Sequence, residues 1–495
     1  MALESTHELA PEQRLAKGAL SIPDAIAISV SVLAPGMAMF LNVNGVAVQA
    51  GGATPLAFLL GGVACLALAF VVIGFTRRMA SAGYAYTYVS RSLGKESGFV
   101  AGWLYAFGLA CFVPMTLAGV AYLFCDLVGL SNSWLFPMFL VTMVLLVAFS
   151  IIRIKVTTRL QLVIGIVTVV VILIVDIVTT AKGGASGNTA KPFTFSHTAV
   201  GGFHGVFYGI IFGITSYIGF ETAADFGEET KNPRRAIPIA IIAATGFAIL
   251  FYIWSTYSMT IGVGIDKIAA DGTPLKTIAD KYVTHWVGTL TEVGAMLAAF
   301  IVCVGCATAS TRTVYAMGRE GVLPRFLGRT HARFQTPVNA TLLVAGAALV
   351  MALLSWYAFP DPGFGVGRAL DTYYFWATLG TLLVIVVYIG LCFGGMIFFR
   401  RTQRRWNPLA HVVVPLIAAV VFAAALYGSI HPAPPAPLSY TPYITLAWLV
   451  VGVIIVFGLR SRNPEAVARI GSILGEEGGE DAEDVPEKPA LGATT

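Results

Sequence analysis

The residues best suited to bind a small solute lie in one interrupted apolar run. In Gly213-Ile-Thr-Ser-Tyr-Ile-Gly-Phe-Glu221, Gly, Thr and Ser break the apolar pattern and a carboxylate follows directly. Within the hydrocarbon of a bilayer, irregular backbone is tolerated only where it is buried in protein or lines a cavity. A glycine-interrupted helix beside an acid therefore predicts a binding site at mid-depth in a membrane, built from backbone groups as well as side chains.

A second interruption lies in the first apolar run, where Ser31-Val-Leu-Ala-Pro-Gly-Met-Ala38 places Pro35-Gly36 near the middle. Proline removes a backbone donor and glycine widens the accessible backbone conformations. For one run alone, an ordinary proline kink would be the better interpretation. The interrupted runs are the first and the sixth, which would cross in opposite directions, so we favour two discontinuous helices related by an inverted five-plus-five repeat.

The two interruptions supply the candidate substrate-binding residues. These are Ala34, Pro35, Gly36, Met37, Ser216, Tyr217, Ile218, Gly219, Phe220 and Glu221. Half-helix ends expose amides at one break and carbonyls at the other. We therefore expect the carboxylate of an amino acid near Pro35–Met37 and its ammonium near Ser216–Ile218. Glu221 has three open roles: binding the ammonium, carrying a proton or bracing the unwound segment.

Three further acids follow in the same stretch, namely Asp225, Glu228 and Glu229. Acids in the last turn of a helix oppose its dipole, so Glu228 and Glu229 require basic partners, which we expect from the cytoplasmic loops. We predict that the three acids form an inner gate. A solvated helix end is the alternative.

Hydroxyl side chains near the end of the eighth run are candidates for binding a coupling ion. Thr308, Ser310 and Thr311 have oxygens that suit a sodium ion. Small polar residues also favour close helix packing in membranes, and packing is the interpretation we prefer.

The composition indicates a polytopic membrane protein, because 57% of the residues are hydrophobic, only 12% are charged and the mean hydropathy is +0.79. A soluble domain carries about 25% charged residues. We expect an all-α fold in a lipid bilayer, with about twelve spans of about 20 residues or more. The apolar runs lie near 22–48, 53–75, 98–128, 134–152, 160–181, 202–227, 236–263, 286–316, 338–358, 371–399, 409–430 and 441–460.

Lys and Arg residues predict the orientation, because cytoplasmic loops are enriched in them. With both termini inside, the outward-facing members of the 31 Lys and Arg residues are Lys182, Lys191, Lys267, Lys276, Lys281 and Arg368. We expect a cytoplasmic segment 1–20 without a cleaved signal, a transport core 21–400, two more helices in 401–460 and an acidic, disordered cytoplasmic tail 461–495. Arg77–Gly94, in which Tyr84, Tyr86 and Tyr88 alternate, is predicted to be an amphipathic surface helix.

Other protein classes are less consistent with the sequence. Cys303 and Cys306 have CxxC spacing without a second pair, so all six cysteines are expected to be buried thiols rather than metal ligands. An enzyme would need clustered titratable groups, and the histidines lie in loops or near span ends. A channel would need a continuous polar stripe. No cofactor and no nucleic-acid partner is expected, and the oligomeric state stays open.

Several motifs resemble the amino acid–polyamine–organocation (APC) superfamily of transporters. Gly-Phe-Glu221, the Glu228-Glu229 pair and Lys231-Asn-Pro-Arg-Arg235 are similar to its sixth helix. Ala82–Tyr86 with Gly98–Trp103 is similar to its second-to-third helix segment, and Met317–Pro324 to the end of its eighth. The resemblance implies a LeuT-type secondary transporter of an amino acid or related small amine in the cell membrane, working by alternating access. It also implies that Glu221 braces the unwound segment.

The chain departs from this family at three places. Many members have Gly-Ser-Gly where Ala34-Pro35-Gly36 stands here. Putrescine importers of the family have an acid in the third helix, whereas Leu109–Met115 has none, so a polyamine or amine importer or exchanger is the second hypothesis. Some proton-coupled members have a Lys in the fifth helix, where Thr168 lies here. We expect coupling to H+ in preference to Na+, while the substrate and the direction of transport stay open.

Overall fold

The structure, a computed structural model, describes residues 18–79, 81, 83–151, 154–331, 336–358, 368–402 and 406–472. These residues are mostly helical. The extended pairing found among them is an isolated bridge between Leu20 and Thr230. The all-α fold predicted from the composition is confirmed.

The helices are numbered in chain order. They are α1 (Ile22–Leu33), α2 (Pro35–Met37), α3 (Val43–Ala50), α4 (Thr54–Thr76), α5 (Tyr84–Leu93), α6 (Lys95–Val128), α7 (Leu135–Ile151), α8 (Ile154–Ala181), α9 (Phe203–Tyr217), α10 (Pro233–Val263), α11 (Pro274–Tyr282), α12 (His285–Arg319), α13 (Val338–Ala358), α14 (Arg368–Thr402), α15 (Val414–Gly428), α16 (Thr441–Arg462) and α17 (Pro464–Ala468). Two π-helical segments, Ala38–Asn42 and Leu409–Val413, precede α3 and α15, and the 3₁₀ helix Thr222–Phe226 follows α9.

Eleven helical segments of the described chain are long and apolar enough to cross a membrane. The first, Ile22–Thr76, has 55 residues. A straight helix of that length would measure about 80 Å at 1.5 Å per residue, whereas the hydrocarbon core is about 30 Å thick. At Gly51 the backbone φ is +56° and a short 3₁₀ helix, Gly51–Ala53, begins. This segment therefore contains two crossings, which gives the twelve spans that the sequence predicts.

Both predicted interruptions are breaks in a helix. In the first span α1 ends at Leu33, Ala34 adopts left-handed backbone angles (φ 44°, ψ 66°), and a new helix begins at Pro35. In the sixth span α9 ends at Tyr217, and Gly219 has φ +119° before the 3₁₀ helix begins. A residue with a Cβ rarely adopts the conformation of Gly219, so glycine permits this break.

Helix α6 lies at the centre of the bundle, and α12 and α14 each pack against it along much of their length. Side chains on the periphery are apolar and exposed, as on α7, where Val144 is 69% exposed, and on α10, where Leu250 is 75% exposed. Large exposed apolar surfaces of this kind are expected where a protein faces lipid. All six cysteines are buried, as predicted.

The prediction of a surface helix at Arg77–Gly94 was wrong. The helix begins at Tyr84, and Tyr84, Tyr86 and Tyr88 are fully buried. The Tyr88 ring stacks on Phe75 of α4 at 5.1 Å, and the Tyr84 ring lies 5.1 Å from that of a tyrosine on α6. Because neighbouring segments cover both faces of α5, its amphipathic pattern does not mark a boundary with water.

The beginning of the predicted disordered tail is folded. Helix α16 continues to Arg462, and α17 follows at Pro464–Ala468. Ala466 and Ile470 are completely buried against Tyr86 and residues of α6 and α12. The acidic part of the tail, from residue 473, lies outside the described residues.

Candidate functional site

The two helix breaks pack against each other. A Cβ atom placed on Gly219 would lie 2.7 Å from Cγ1 of Val32 and 2.9 Å from the Val32 carbonyl carbon. Real Cβ atoms do not approach other atoms so closely, so only glycine allows the sixth span to touch the first at this depth. Gly305 of α12 lies against the same valine, where an added Cβ would be 2.5 Å from Val32 Cγ2.

The break in the sixth span releases two carbonyl groups. In a continuous helix, the amides of Gly219 and Phe220 would pair with the carbonyls of Thr215 and Ser216. Instead, the Gly219 amide donates to Glu221 Oε2 at 3.1 Å, and the Phe220 amide donates to the Tyr217 carbonyl at 3.3 Å. The carbonyls of Thr215 and Ser216 therefore lose their helical partners and become acceptors for another group.

The break in the first span provides donors. The first amides of a new helix have no partner within that helix, and here these are the amides of Gly36 and Met37, since Pro35 has none. The Leu33 carbonyl, which would accept from Met37 in a continuous helix, accepts from the Tyr252 hydroxyl at 2.7 Å. The Ala34 amide turns back to the Ser31 carbonyl at 3.1 Å.

Glu221 holds the break of the sixth span together. Besides accepting from the Gly219 amide, its buried carboxylate accepts from the Tyr388 hydroxyl at 2.5 Å and from the Tyr105 hydroxyl at 3.5 Å. Tyr105 also donates to Asp225 at 3.3 Å. Of the three roles open for Glu221, this geometry matches the bracing one.

The aromatic residues at the sixth-span break are turned into the helix packing. The Tyr217 hydroxyl donates to the Phe58 carbonyl of α4 at 3.1 Å, and its ring lies 5.2 Å from Tyr252. The Phe220 ring packs against Tyr388 at 6.3 Å. Neither ring closes over the break in this conformation.

Two polar residues that sequence reasoning missed fix Ser216. The Asn42 side chain donates from Nδ2 to the Ser216 hydroxyl at 2.9 Å, and the Tyr373 hydroxyl donates to the side-chain oxygen Oδ1 of Asn42 at 2.5 Å. All three side chains are buried. The first apolar run contains two Asn residues, Asn42 and Asn44, and these were the available signal, because a buried amide requires partners.

A cavity of about 350 Å³ lies beside the first-span break, between α1, α8, α10 and α12. Its lining is apolar apart from Ser31 and Thr168. Gly36 forms part of the lining and packs against α8, where an added Cβ would be 2.5 Å from Thr168 Cγ2. A cavity of this size and lining is of the kind that small ligands occupy.

The three hydroxyls proposed for a coupling ion do not point to one place. Thr308 donates to the Val304 carbonyl of its own helix at 2.6 Å, whereas Ser310 donates to the Ala106 carbonyl of α6 at 2.8 Å. The buried Thr311 hydroxyl has no partner among the described residues. Two of the three thus make ordinary helix contacts.

Glu228 and Glu229 form two ion pairs with α12. Arg312 binds both oxygens of Glu229, at 2.8 and 3.1 Å, and Arg319 binds both oxygens of Glu228, at 2.6 and 2.9 Å. The Arg312 guanidinium also lies over the Phe226 ring at 4.0 Å. We call this side of the bundle the arginine end, and the opposite side, where α11 lies, the α11 end.

The structure corrects two details of the predicted gate. The 3₁₀ helix ends at Phe226, so the two glutamates follow the last turn rather than lie within it. Their partners belong to a membrane-spanning helix, α12, rather than to loops. The sequence spacing could have indicated these partners, because Arg312 and Arg319 are seven residues apart and therefore share one face of a helix.

Known proteins resemble the chain over most of its length. The sequence profile of the amino acid permease family matches residues 20–457. The chain belongs to this family. It is therefore a multi-pass membrane protein of a transporter family, and the APC resemblance found in the sequence is confirmed.

Individual relatives of this permease carry different solutes. The branched-chain amino acid permease BcaP of Bacillus subtilis is 24% identical over 328 residues, which cover 62% of this chain and 68% of that protein. The methylthioribose transporter of Bacillus subtilis is 28% identical, with 62% and 68% covered. The low-affinity putrescine importer PlaP of Escherichia coli is 28% identical, with 60% and 67% covered.

Proposed function

We propose that this permease is a secondary active transporter of a neutral amino acid, which it binds between the breaks of the first and sixth spans. The observation that carries the proposal is that one break offers unpaired backbone donors and the other offers unpaired backbone acceptors. The amides of Gly36 and Met37 are donors, and the carbonyls of Thr215 and Ser216 are acceptors. A zwitterion carries a carboxylate for the donors and an ammonium for the acceptors.

The charge distribution favours a neutral amino acid over a polyamine. A dication needs a counter-charge at each end, because burying an unpaired charge costs several kcal/mol. Glu221 is already engaged by Gly219, Tyr388 and Tyr105. Leu109–Met115 of α6 provides no acid. An apolar cavity next to Gly36 suits the side chain of an uncharged substrate.

The substrate itself offers the sharpest test. Purified permease is heated with single amino acids, and a ligand that binds only the folded state raises the apparent melting temperature. For each amino acid that gives a shift, the amide derivative lacks the carboxylate and the N-acetyl derivative lacks the ammonium. We expect both derivatives to lose the shift, because each leaves one set of backbone groups unpaired.

The same protein in liposomes tests the transport step. Loaded with the unlabelled amino acid, the liposomes should take up the radiolabelled one by counterflow. Putrescine that accumulates where no amino acid does would overturn the substrate assignment. An amide derivative that shifts melting as strongly as its parent would overturn the two-ended binding mode.

We also propose that the arginine end faces the cytoplasm of a cell membrane and that both termini lie on that side. The distribution of Lys and Arg along the sequence supports this orientation. Cysteines introduced at Ser186 and Ala433 should react with an impermeant thiol reagent in whole cells, and one introduced at Arg460 should not. The reverse pattern would invert the assignment.

Within the same proposal, a proton gradient rather than a sodium gradient drives accumulation of the substrate.

A further inference from the structure

A buried acid of the fifth span plays no part in the site described so far. Asp176 on α8 is completely buried, and its carboxylate accepts a hydrogen bond from the Ser255 hydroxyl of α10. Ser258, three residues further along α10, faces the same carboxylate. One carboxylate oxygen, Oδ1, and the hydroxyls of Ser258 and Thr179 have no hydrogen-bond partner among the described residues.

Ionisable side chains on the elements packed against α8 are engaged elsewhere. Lys276 of α11 pairs with Glu292 of α12 at 2.5 Å, and Tyr252 of α10 donates to Leu33 at 2.7 Å. Other groups and their partners are Tyr282 with the Gly262 carbonyl, Lys182 with the Tyr282 carbonyl, Lys281 with the Tyr282 ring, Tyr257 with the Thr189 amide, Asp280 with His285, Asp24 with Ser21, Arg312 with Glu229 and Arg319 with Glu228. The described contacts of Asp176 are thus to hydroxyl groups, without a cation.

An ionised carboxylate in such a setting is strongly disfavoured. Taking a carboxylate out of water costs several kcal/mol even after the protein relaxes, and two hydroxyls do not supply the missing counter-charge. Acids buried within membrane-spanning helices usually serve a function for the same reason. The packed arrangement of α8 against α10 therefore fits a neutral carboxylic acid.

We infer that Asp176, together with Ser255 and Ser258, is the proton-binding site through which this permease couples transport to a proton gradient. The inference rests on the proposed transport function and adds the site of its coupling ion. The carboxylate takes up one proton from water and forms an O–H bond, and the neutral acid then exchanges hydrogen bonds with the two serines. Release returns the proton to water when α8 and α10 move apart.

The position of Asp176 links it to the substrate site. Tyr252 and Ser255 lie three residues apart on α10 and so share a face of that helix. Ser255 contacts Asp176, and Tyr252 holds the Leu33 carbonyl at the first-span break. On α8, Thr168 packs against Gly36, about 12 Å along the helix from Asp176 at 1.5 Å per residue. A shift of α10 relative to α8 would therefore move both the proton site and the break.

The geometry favours a proton over a sodium ion. A sodium ion needs room and several oxygen ligands at once, as other hard cations do. The cavity beside the break is lined by Thr168, Val169 and Val170 of α8, and its lining does not extend to Asp176. The Ser255 hydroxyl donates its proton to the Asp176 carboxylate. The serine oxygen therefore directs a hydrogen, rather than a lone pair that could bind a cation, towards the acid.

The test compares wild-type permease with Asp176→Asn, a neutral mimic of the protonated acid that keeps the shape. In liposomes, we expect the variant to retain counterflow, which needs no net proton movement. Its accumulation driven by a pH gradient should fall to the level seen without a gradient. Asp266→Asn is the matched control, because Asp266 is an exposed acid on a loop whose side chain is 85% accessible. This control should accumulate substrate like the wild type.

A second measurement does not depend on substrate. Infrared spectra of the reconstituted protein should show the C=O stretch of a protonated carboxylic acid that disappears reversibly as pH rises and is missing in Asp176→Asn. If no substrate is transported by the wild type, the proposed function fails and this band alone decides the proton site. Full proton-driven accumulation by Asp176→Asn, sodium-driven uptake that the variant loses, or the absence of a titrating band would each overturn the inference.

Discussion

The two ends of the bundle are closed by different kinds of contact. At the arginine end, the side chains of Arg312 and Glu229 are each 3% exposed and bind each other through two hydrogen bonds. At the α11 end, Lys276 is 27% exposed and binds Glu292 through one contact at 2.5 Å, with Asp126 at 3.9 Å. The first end depends on buried, two-pronged ion pairs, and the second on one partly solvated lysine that binds a buried glutamate through a single contact.

Backbone contacts strengthen the same contrast. At the arginine end, the chain before α1 pairs with the chain after the sixth span. The Leu20 amide donates to the backbone carbonyl of Glu229 at 3.0 Å, and the Lys231 amide donates to the backbone carbonyl of Leu20 at 2.8 Å. At the α11 end, the Asn44 side chain donates to the Gly272 carbonyl. Removing one partner of a buried pair costs about 3–5 kcal/mol, whereas exposed pairs contribute about 0–1 kcal/mol. The α11 end should therefore open more readily.

The largest effect is expected from Glu229→Gln. It leaves the buried Arg312 without its counter-charge and should weaken closure of the arginine end by about 3–5 kcal/mol. Spin labels on Lys231 and on Phe326, which is 55% exposed, report the separation of the sixth span from the end of α12. We expect a longer-distance population to appear, with slower net transport. The native cysteines are buried and should not compete for the label.

The control for this variant is an ion pair of the same end that is open to water. Glu96 and Arg460 contact each other at 2.7 Å, with side chains 34% and 62% exposed. Glu96→Gln should leave the distance distribution unchanged, because exposed pairs contribute little. If Glu229→Gln also leaves it unchanged, the buried pair does not hold this end closed.

Glu228→Gln should act in the same direction with a smaller effect. Its partner Arg319 is 2% exposed, but Glu228 is 11% exposed, so water partly replaces the lost charge. We expect a loss of about 1–3 kcal/mol, the range for a buried polar group that loses its partner. The same pair of labels should show an open population between those of Glu229→Gln and the wild type. A larger effect than that of Glu229→Gln would reverse the ranking of the two pairs.

The helix breaks were predictable because their cause is local. Pro35 removes an amide wherever it lies, and Gly219 allows a positive φ whatever surrounds it, so both leave a mark in the sequence. The span boundaries were predictable for a similar reason, since a bilayer demands long apolar runs. Val338–Ala358 begins and ends where its apolar run does.

The contacts that close the site were not predictable, because they join distant parts of the chain. Glu229 and Arg312 are 83 residues apart in sequence, and nothing local selects one arginine over another. Asp176 shows the same limit. An acid near the end of an apolar run has the pattern of a span boundary, and only the packing of α10 places Ser255 against it.

A third prediction concerns the segment after α16, which adds to closure at the arginine end. The Gly471 amide donates to the Glu320 carboxylate at 2.7 Å, and the Gly471 carbonyl accepts from Arg91 of α5 at 2.8 Å. Gly471 has φ +64°, and a side chain there would overlap Ser90. Gly471→Val should weaken docking of this segment by about 1–3 kcal/mol through backbone strain. Faster proteolysis after α16 should reveal the loss.

Ser472→Val is the control for the segment, because the described hydrogen bonds of Ser472 are made by its backbone: its carbonyl accepts from Arg91 at 3.4 Å and its amide donates to the Arg469 carbonyl at 3.0 Å. Its proteolysis rate should match that of the wild type. Equal rates for Gly471→Val and the wild type would mean that the segment does not depend on the close approach to Ser90.

The smallest effect is expected at the α11 end, from Lys276→Met. Burial lowers the pKa of Lys276, but the hydrogen bond and charge of Glu292, with the charges of Asp126 and Asp280, outweigh burial and raise it above the usual value for lysine. Because the folded-state pKa is raised, the contribution of Lys276 is complete below the ordinary pKa of lysine and is lost only as pH rises through the raised value. The positive charge on Lys276 is thus constant throughout the neutral range.

Lys276→Met retains the aliphatic stem, so packing of α11 against α12 should persist. Glu292 is completely buried, so the variant leaves a buried carboxylate without its cation, but Lys276 is 27% exposed and water can reach the place that its ammonium vacates. We therefore expect closure of the α11 end to weaken by about 1 kcal/mol, the upper end of the range for ion pairs open to water. Spin labels at Asp266 and Trp286, on either side of α11, should show a small shift that is the same at pH 6 and pH 8. An effect as large as that of Glu229→Gln would mean that both ends are held equally, and a marked difference between these two pH values would mean that another group controls α11.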